Sequence, residues 1–188
     1  AGNAIVRVAE DLGLNNCVGL DVGGTSSDIV VVRDGRLREA PWEERKIGGY
    51  VLQIPMLDLY TIGAGGGSLV YRDDFGAIHV GPHSAGADPG PACYNRGGTQ
   101  ATVTDAAAVA GRLPEDILLG GNMPIRANLA QKAISETFGV DDQKEIVRSA
   151  LQVLALAEAN VAFGIRERTV SRGLDPAELA LVSAGGAG

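Results

Sequence analysis

The chain has 188 residues, 45% of them hydrophobic and 21% charged, with a net charge of −7 and a mean hydropathy of +0.09. That is enough for one globular domain with a sizeable core, and the acidic balance without a long basic run argues against a nucleic-acid surface. Two cysteines, Cys17 and Cys93, are too few for a disulfide framework and point to a reducing cytoplasm.

In chain order, residues 3–12 place Ile5, Val6, Val8, Ala9 and Leu12 at helical spacing and are closed by Gly13. Strands follow at 16–21 and 27–33, and Asp34-Gly35 makes a hairpin turn into a strand at 36–39. Further strands are expected at 49–57, 59–62, 68–72 and 77–80, the last two joined through residues 73–76. Residues 81–100 are rich in proline and glycine and show no helical or strand period. A stretch of that length points to a functional or intersubunit role. Thr104 is read as the cap of a helix over 105–111, and Asn128 opens a helix through 138 that Gly139 ends. Residues 141–172 carry Ile146, Ala150, Val153, Leu154, Ala157, Val161 and Ile165 on one face. No apolar run is read as long enough to span a membrane, since residues 149–164 are interrupted by Gln152, Glu158 and Asn160. A buried strand at 179–182 then runs into Gly185-Gly186-Ala187-Gly188. The order of strands, helices and one more strand predicts an α/β domain, a mixed sheet with β-hairpins followed by helices.

The 27 glycines are clustered, at Gly23-Gly24, Gly48-Gly49, 63–67, 81–98, Gly120-Gly121 and 185–188. Glycine between apolar strands marks specified turns, unlike a serine-rich flexible linker. In Leu20-Asp21-Val22-Gly23-Gly24-Thr25-Ser26-Ser27-Asp28, an acidic residue, two glycines and three hydroxyls fall between two strands. Such a turn brings N–H groups and hydroxyls up to a phosphate, while Asp21, costly at the end of a buried strand, needs a counter-ion, a donor or water. The alternative is a plain hairpin with Gly-Gly supplying positive φ. The terminal Gly185-Gly186 is a second strand–glycine element where backbone can approach a ligand closely.

The remaining candidates each have two readings. Gly65, Gly66, Gly67 and Ser68 form either an anion-binding turn or a bend packed on another backbone. Asp105 is either a substrate or metal carboxylate or a first-turn helix residue. His79 reads as strand surface and His83 as a loop residue, and a metal site would need further ligands. Cys93 has no histidine placed to activate it, so a packed thiol is favoured over a nucleophile. Arg96 could meet an anionic substrate or a partner subunit.

Together the two strand–glycine elements resemble the second phosphate motif and the adenosine motif of the actin-like ATPase superfamily. More specifically, the chain resembles the hydantoinase A/oxoprolinase family. The motifs that carry this are residues 21–28, Thr61-Ile62-Gly63-Ala64-Gly65-Gly66-Gly67-Ser68, residues 80–94, Thr102-Val103-Thr104-Asp105-Ala106 and Gly185-Gly186-Ala187-Gly188. Val22 stands where the family often has Met, and Ser27 where it often has Thr. The resemblance implies a lobe of the actin-like (ribonuclease H-like) ATPase fold. It implies one domain over 1–188, a fragment of a longer chain ending within the adenosine-type motif. It further implies an ATP-dependent cyclic-amide hydrolase of the 5-oxoprolinase or N-methylhydantoinase type, or a related ketone carboxylase subunit, in which ATP phosphorylates a substrate oxygen. A nucleotide-sensing or assembly domain is the non-catalytic alternative. ATP and Mg²⁺ would be the cofactors, a cyclic amide or ketone the substrate, and a hydantoinase B-type subunit or domain the partner. Gly23, Gly24, Thr25 and Ser26 would contact phosphate, and Gly185 and Gly186 would lie against adenosine. Asp21 would act through Mg²⁺-bound water or orient a nucleophile, with Asp105 as the second catalytic carboxylate. The isolated fragment is expected to bind ATP weakly and not to turn over.

Overall fold

The computed structural model describes residues 2–114 and 123–188; the Gly120-Gly121 pair lies outside the described residues. The chain opens with helix α1 (Gly2–Asp11), followed by strands β1 (Cys17–Val22), β2 (Ser27–Arg33) and β3 (Arg36–Leu37). Two short strands, β4 (Lys46–Ile47) and β5 (Tyr50–Val51), precede β6 (Leu59–Ile62), β7 (Ser68–Arg72) and β8 (Ile78–Ser84). Helices α2 (Val103–Val109), α3 (Ala127–Phe138) and α4 (Gln143–Val170) lead to the last strand, β9 (Ala180–Ala184).

The main sheet has the order β3-β2-β1-β9, with β6 also pairing β2. β1 and β2 are antiparallel, with Cys17 opposite Val32 and Val22 opposite Ser27. β9 runs parallel to β1, aligning Ala184 with Asp21. The sheet is therefore mixed, with hairpins before helices, as the sequence predicts. Between β2 and β3, Asp34 and Gly35 both have positive φ, 53° and 71°, which is the backbone a two-residue hairpin requires.

Period-2 alternation along β1 and β2 sends side chains to two separate cores. Cys17, Val30 and Val32 pack with Ile5 and Ala9 of α1 on one face. Val18, Leu20 and Ile29 meet Val161 and Ile165 of α4 on the other. A third core joins the β7–β8 hairpin (Val70, Val80) to Ala106, Ile134, Ile146, Ala150, Val153 and Leu154 of the helices. With few aromatics available, alanine and β-branched residues let these elements approach closely.

Several expectations are corrected. Residues 49–57 do not form one strand; Gly48 and Gly49 at φ 58° and 86° turn the chain into the short β4–β5 hairpin instead. β8 continues past residue 80 to Ser84, so His83 lies on a strand rather than in a loop. β9 is not buried, because β1 is its only strand neighbour among the described residues and Leu181 is 56% exposed. Helix α2 is capped by Thr102, two residues before the expected Thr104. Helix α4 is, by length and composition alone, apolar enough to cross a membrane, contrary to the sequence expectation. Its Ile146, Ala150, Val153 and Leu154 are buried in the third core, where an apolar stripe is also required.

The C-terminal end of α4 is fastened by charge. Arg168 and Arg172 both pair with the buried Asp58 and with Glu44. Their guanidinium groups hold the Glu44 carboxyl below its usual range, chiefly through the hydrogen bond from Arg172. This cluster ties the irregular 38–58 excursion to the helix.

Candidate nucleotide site

Because β1 and β9 are parallel neighbours, Gly23-Gly24 and Gly185-Gly186 leave the same end of the sheet side by side. In open α/β sheets that end is where ligands bind. The Ala187 N–H donates to Val22 O at 3.1 Å, fixing the two turns together. Gly185 has φ +96°, and a Cβ there would lie 2.5 Å from Asp21 Oδ1. Only glycine allows this approach.

The 23–26 turn is closed by the Gly23 N–H donating to Ser26 O at 2.9 Å. Among the described residues, the N–H groups of Gly24, Thr25 and Ser26 have no hydrogen-bond acceptor. Gly24 and Thr25 are exposed. Three consecutive unpaired donors on one turn make a concavity suited to an anion. Neither Gly24 nor Gly186 has positive φ or any atom within 4 Å of a built Cβ. The protein's own packing does not demand glycine at either position.

Asp21 is half-buried, and its carboxylate accepts no hydrogen bond and forms no ion pair among the described residues. It lies directly opposite Asp28 in the β1–β2 register, on the same face of the sheet. Asp28 Oδ1 accepts from Thr61 Oγ1 at 2.6 Å. Like charges facing each other across strands are destabilising, a conflict that a cation or its bound water relieves. Asp21 is thus the carboxylate of the pair left open to a bound partner, although no group of three or more His, Cys, Asp or Glu side chains gathers here among the described residues.

The opposite face of the same strands opens into a cavity of about 700 Å³ beneath the glycine turns. Leu20, Val22, Leu181 and Ser183 form its floor, and Thr104, Leu154, Val161 and Ile165 come from α2 and α4. Its lining is mainly apolar, with Gly24, Gly66 and Gly186 at the rim of the same space.

The Gly65–Ser68 turn takes the second of its two readings. All five residues 64–68 are buried, and the N–H donors are occupied within the protein. Gly65 N donates to Ser68 Oγ at 2.9 Å, and Gly66 and Gly67 donate to Gly23 O and Gly24 O at 2.9 and 2.6 Å. Ser68 N donates to Gly65 O at 3.0 Å. The turn packs against the first glycine turn rather than against solvent. Ser27, read as a phosphate hydroxyl, is likewise fully buried and donates to Ala64 O.

Asp105 also changes role. It is fully buried and completes a capping box with Thr102. Its Oδ2 accepts from Thr102 N, Thr102 Oγ1 and Ala92 N, and its Oδ1 from Cys93 N at 2.7 Å. Both carboxylate oxygens are thus engaged by donors of the protein itself. Asp105 anchors the 88–94 segment to the start of α2, which explains how a stretch without periodicity is ordered. Cys93 is fully buried, and burial, with the adjacent Asp105 carboxylate, pushes its thiol pKa up. It is a packed thiol. Arg96 is exposed, and no contact joins it to the glycine turns. His79 sits on the strand surface as expected, with Nε2 2.7 Å from Asp73 Oδ2 and its ring stacked on Tyr71.

Thr104, expected only as a helix cap, and Asp28, given no role of its own by the sequence, both belong to this neighbourhood. Thr104 Oγ1 donates to Gly66 O at 2.8 Å and its N–H to the same oxygen at 2.7 Å. A threonine inside a helix's first turn carries no signal of a distant loop contact, so only the structure reveals it.

The hydantoinase/oxoprolinase family matches residues 1–188. The chain belongs to that family. It is 39% identical, over all of its own length and 27% of the relative's, to the alpha subunit of caprolactamase from Pseudomonas jessenii. The crystal structure of the ATP-dependent caprolactamase of that organism matches 98% of this chain and 26% of that chain with a TM-score of 0.84. The gamma subunit of acetophenone carboxylase from Aromatoleum aromaticum is 37% identical over 96% of this chain and 25% of the relative. A nucleotide-free acetone carboxylase, described as ATP-dependent, matches 97% of this chain and 26% of that one at TM-score 0.83 and 27% identity. The chain thus spans about a quarter of the length of these relatives. These relatives include an ATP-dependent caprolactamase and carboxylases of acetone and acetophenone.

Proposed function

We propose that this chain supplies one wall of an ATP site in an ATP-dependent cyclic-amide hydrolase, as the second lobe of an actin-like ATPase fold. One observation carries the reading: two glycine turns lie side by side at the carboxyl ends of parallel β1 and β9, one with three unpaired N–H donors and a carboxylate without a partner beside it. Gly24, Thr25 and Ser26 would receive phosphate oxygens, Gly185 and Gly186 would lie against the nucleoside, and Asp21 would hold Mg²⁺ through its bound water. Mg²⁺, when bound, would neutralise charge on the transferring phosphoryl group. The protein's own contribution is positioning and oriented dipoles, which suits a reaction that activates a substrate oxygen by phosphorylation. The similarity to a caprolactamase subunit favours a lactam or related cyclic amide as substrate.

A ketone carboxylase subunit is the second reading, supported by the likeness to acetophenone and acetone carboxylases. Both require a further subunit or domain, because the chain corresponds to about a quarter of each relative. A hydantoinase B-type partner fits that requirement. The isolated 188 residues are expected to bind ATP weakly and to show no turnover.

Calorimetry of the full-length protein with a non-hydrolysable ATP analogue and Mg²⁺ tests the site, with Gly24→Val as the control that should abolish binding. Absence of binding by the wild type would leave an assembly role. ATP hydrolysis stimulated by 5-oxoproline, hydantoins or lactams marks the hydrolase, and stimulation by ketones with bicarbonate marks the carboxylase.

A further inference from the structure

We propose that the buried Gly65–Ser68 turn is a brace that aims the N–H groups of Gly24 and Thr25 at an anionic ligand, and that Thr104 is the positioning residue that holds the brace. The inference rests on the nucleotide reading above and assigns a role to the glycine block that the reading itself leaves out.

Gly23 O accepts from Gly66 N, and Gly24 O accepts from Gly67 N. The peptide bonds following Gly23 and Gly24 are trans, the cis bonds being at Gly81-Pro82 and Asp88-Pro89. In a trans peptide the C=O and N–H point in opposite directions. Fixing the two carbonyls onto residues 66 and 67 therefore turns the Gly24 and Thr25 N–H groups away from the brace, side by side. Two adjacent glycines left alone would sample many peptide orientations. The brace removes that freedom before a ligand arrives, so the donors need no reorganisation on binding.

The brace is itself held by two outside segments and by one hydrogen bond within it. Gly66 O accepts both the N–H and the hydroxyl of Thr104, at 2.7 and 2.8 Å. Gly67 O accepts from Ala85 N at 2.8 Å, and Ser68 Oγ accepts from Gly65 N. Glycine is required for the approach. A Cβ on Gly65 would lie 2.7 Å from Gly23 O and 2.9 Å from Gly24 O, and one on Gly67 2.9 Å from Gly24 O. Thr104 stands in the first turn of α2, whose start is locked by Thr102 and the buried Asp105. The end of that helix thus reaches the ligand turn through two layers of backbone hydrogen bonds.

The test uses the full-length protein and two probes, a non-hydrolysable ATP analogue with Mg²⁺ and adenosine alone. Thr104→Val removes the hydroxyl donor; Thr104→Ser retains it. Loss of one such bond predicts about a threefold to tenfold weaker affinity for the analogue in Thr104→Val, with adenosine affinity unchanged and Thr104→Ser like the wild type. Gly65→Ala displaces both carbonyls and should weaken the analogue more than tenfold (an order-of-magnitude expectation from overpacking). If Gly65→Ala fails to fold, the Thr104 pair decides. Analogue affinity in Thr104→Val equal to wild type, equal losses for both probes, or failure of Thr104→Ser to restore binding each overturns the brace. A wild type that binds neither probe overturns the nucleotide reading and the brace with it, whereas binding that is indifferent to these variants overturns the brace alone.

Discussion

The turns at 23–26 and 63–68 are both glycine-rich and both follow a strand, yet they do opposite work. In the first, three N–H groups lack partners and the backbone is exposed; in the second, every N–H from Gly65 to Ser68 is taken up by protein oxygens and the turn is buried. At Gly24 of the first turn glycine leaves open space, with nothing within 4 Å of a built Cβ. It serves the second by letting two backbones touch. Glycine content therefore does not identify a ligand loop; the fate of its N–H groups does.

The largest effect that sharpens this contrast is expected at Gly185, which joins the first turn to β9. Gly185→Ala combines a left-handed φ with collision against Asp21 and Val22, and should cost roughly 2–5 kcal/mol in denaturant unfolding. A cost under about 0.5 kcal/mol would mean the two turns are not packed as described. Next is Asp105→Asn, which keeps one acceptor oxygen but turns an amide NH2 against either the Cys93 N–H or the Ala92 and Thr102 N–H groups. About 2–4 kcal/mol should be lost, read as a lowered unfolding midpoint; full stability with lost turnover would restore Asp105 as a catalytic carboxylate.

Gly24→Ala is the discriminating variant of the open turn. With nothing near its Cβ and no positive φ, stability should stay level or rise by up to about 1 kcal/mol, while ATP-analogue affinity falls. Unchanged affinity would remove the phosphate from this turn. The smallest effect is a pH dependence away from both turns. The Asp73 carboxyl is held below its usual range by the hydrogen bond with His79 and by the Ala77 and Phe75 N–H groups. Its stabilisation is complete above the unfolded carboxylate pKa of about 4 and lost as pH falls through the lower folded value. Hydrogen-exchange protection at Phe75 and Ala77 should fall in that acid window, while protection at Gly66 and Gly67 holds. Parallel loss at both places would show that the turns are not independent.

Much of this molecule was legible in its sequence, for identifiable reasons. β2, β6 and β7 match their expected bounds because runs of aliphatic, aromatic and β-branched residues end there at glycine or charge. Gly139 ends α3 in the left-handed conformation that its sequence position requires. The 49–57 strand failed because the run is broken by the Gly48-Gly49 turn and by Pro55, and apolar content alone could not show that Ile54 and Leu57 are about half exposed. The order in residues 88–94 was illegible because it comes from a carboxylate more than ten residues away.

The sequence alone determined the strand–glycine elements, the hairpins, the helix faces and, through its motifs, the family. All of these depend on residues near one another in the chain, where periodicity and turn chemistry act. Only the tertiary structure decided which glycines keep unpaired N–H groups and which face backbone, because a peptide's N–H is free or occupied according to what the fold brings against it. The same reason makes Asp21 a candidate ligand and Asp105 a buried anchor, although both are single aspartates beside strand or helix ends.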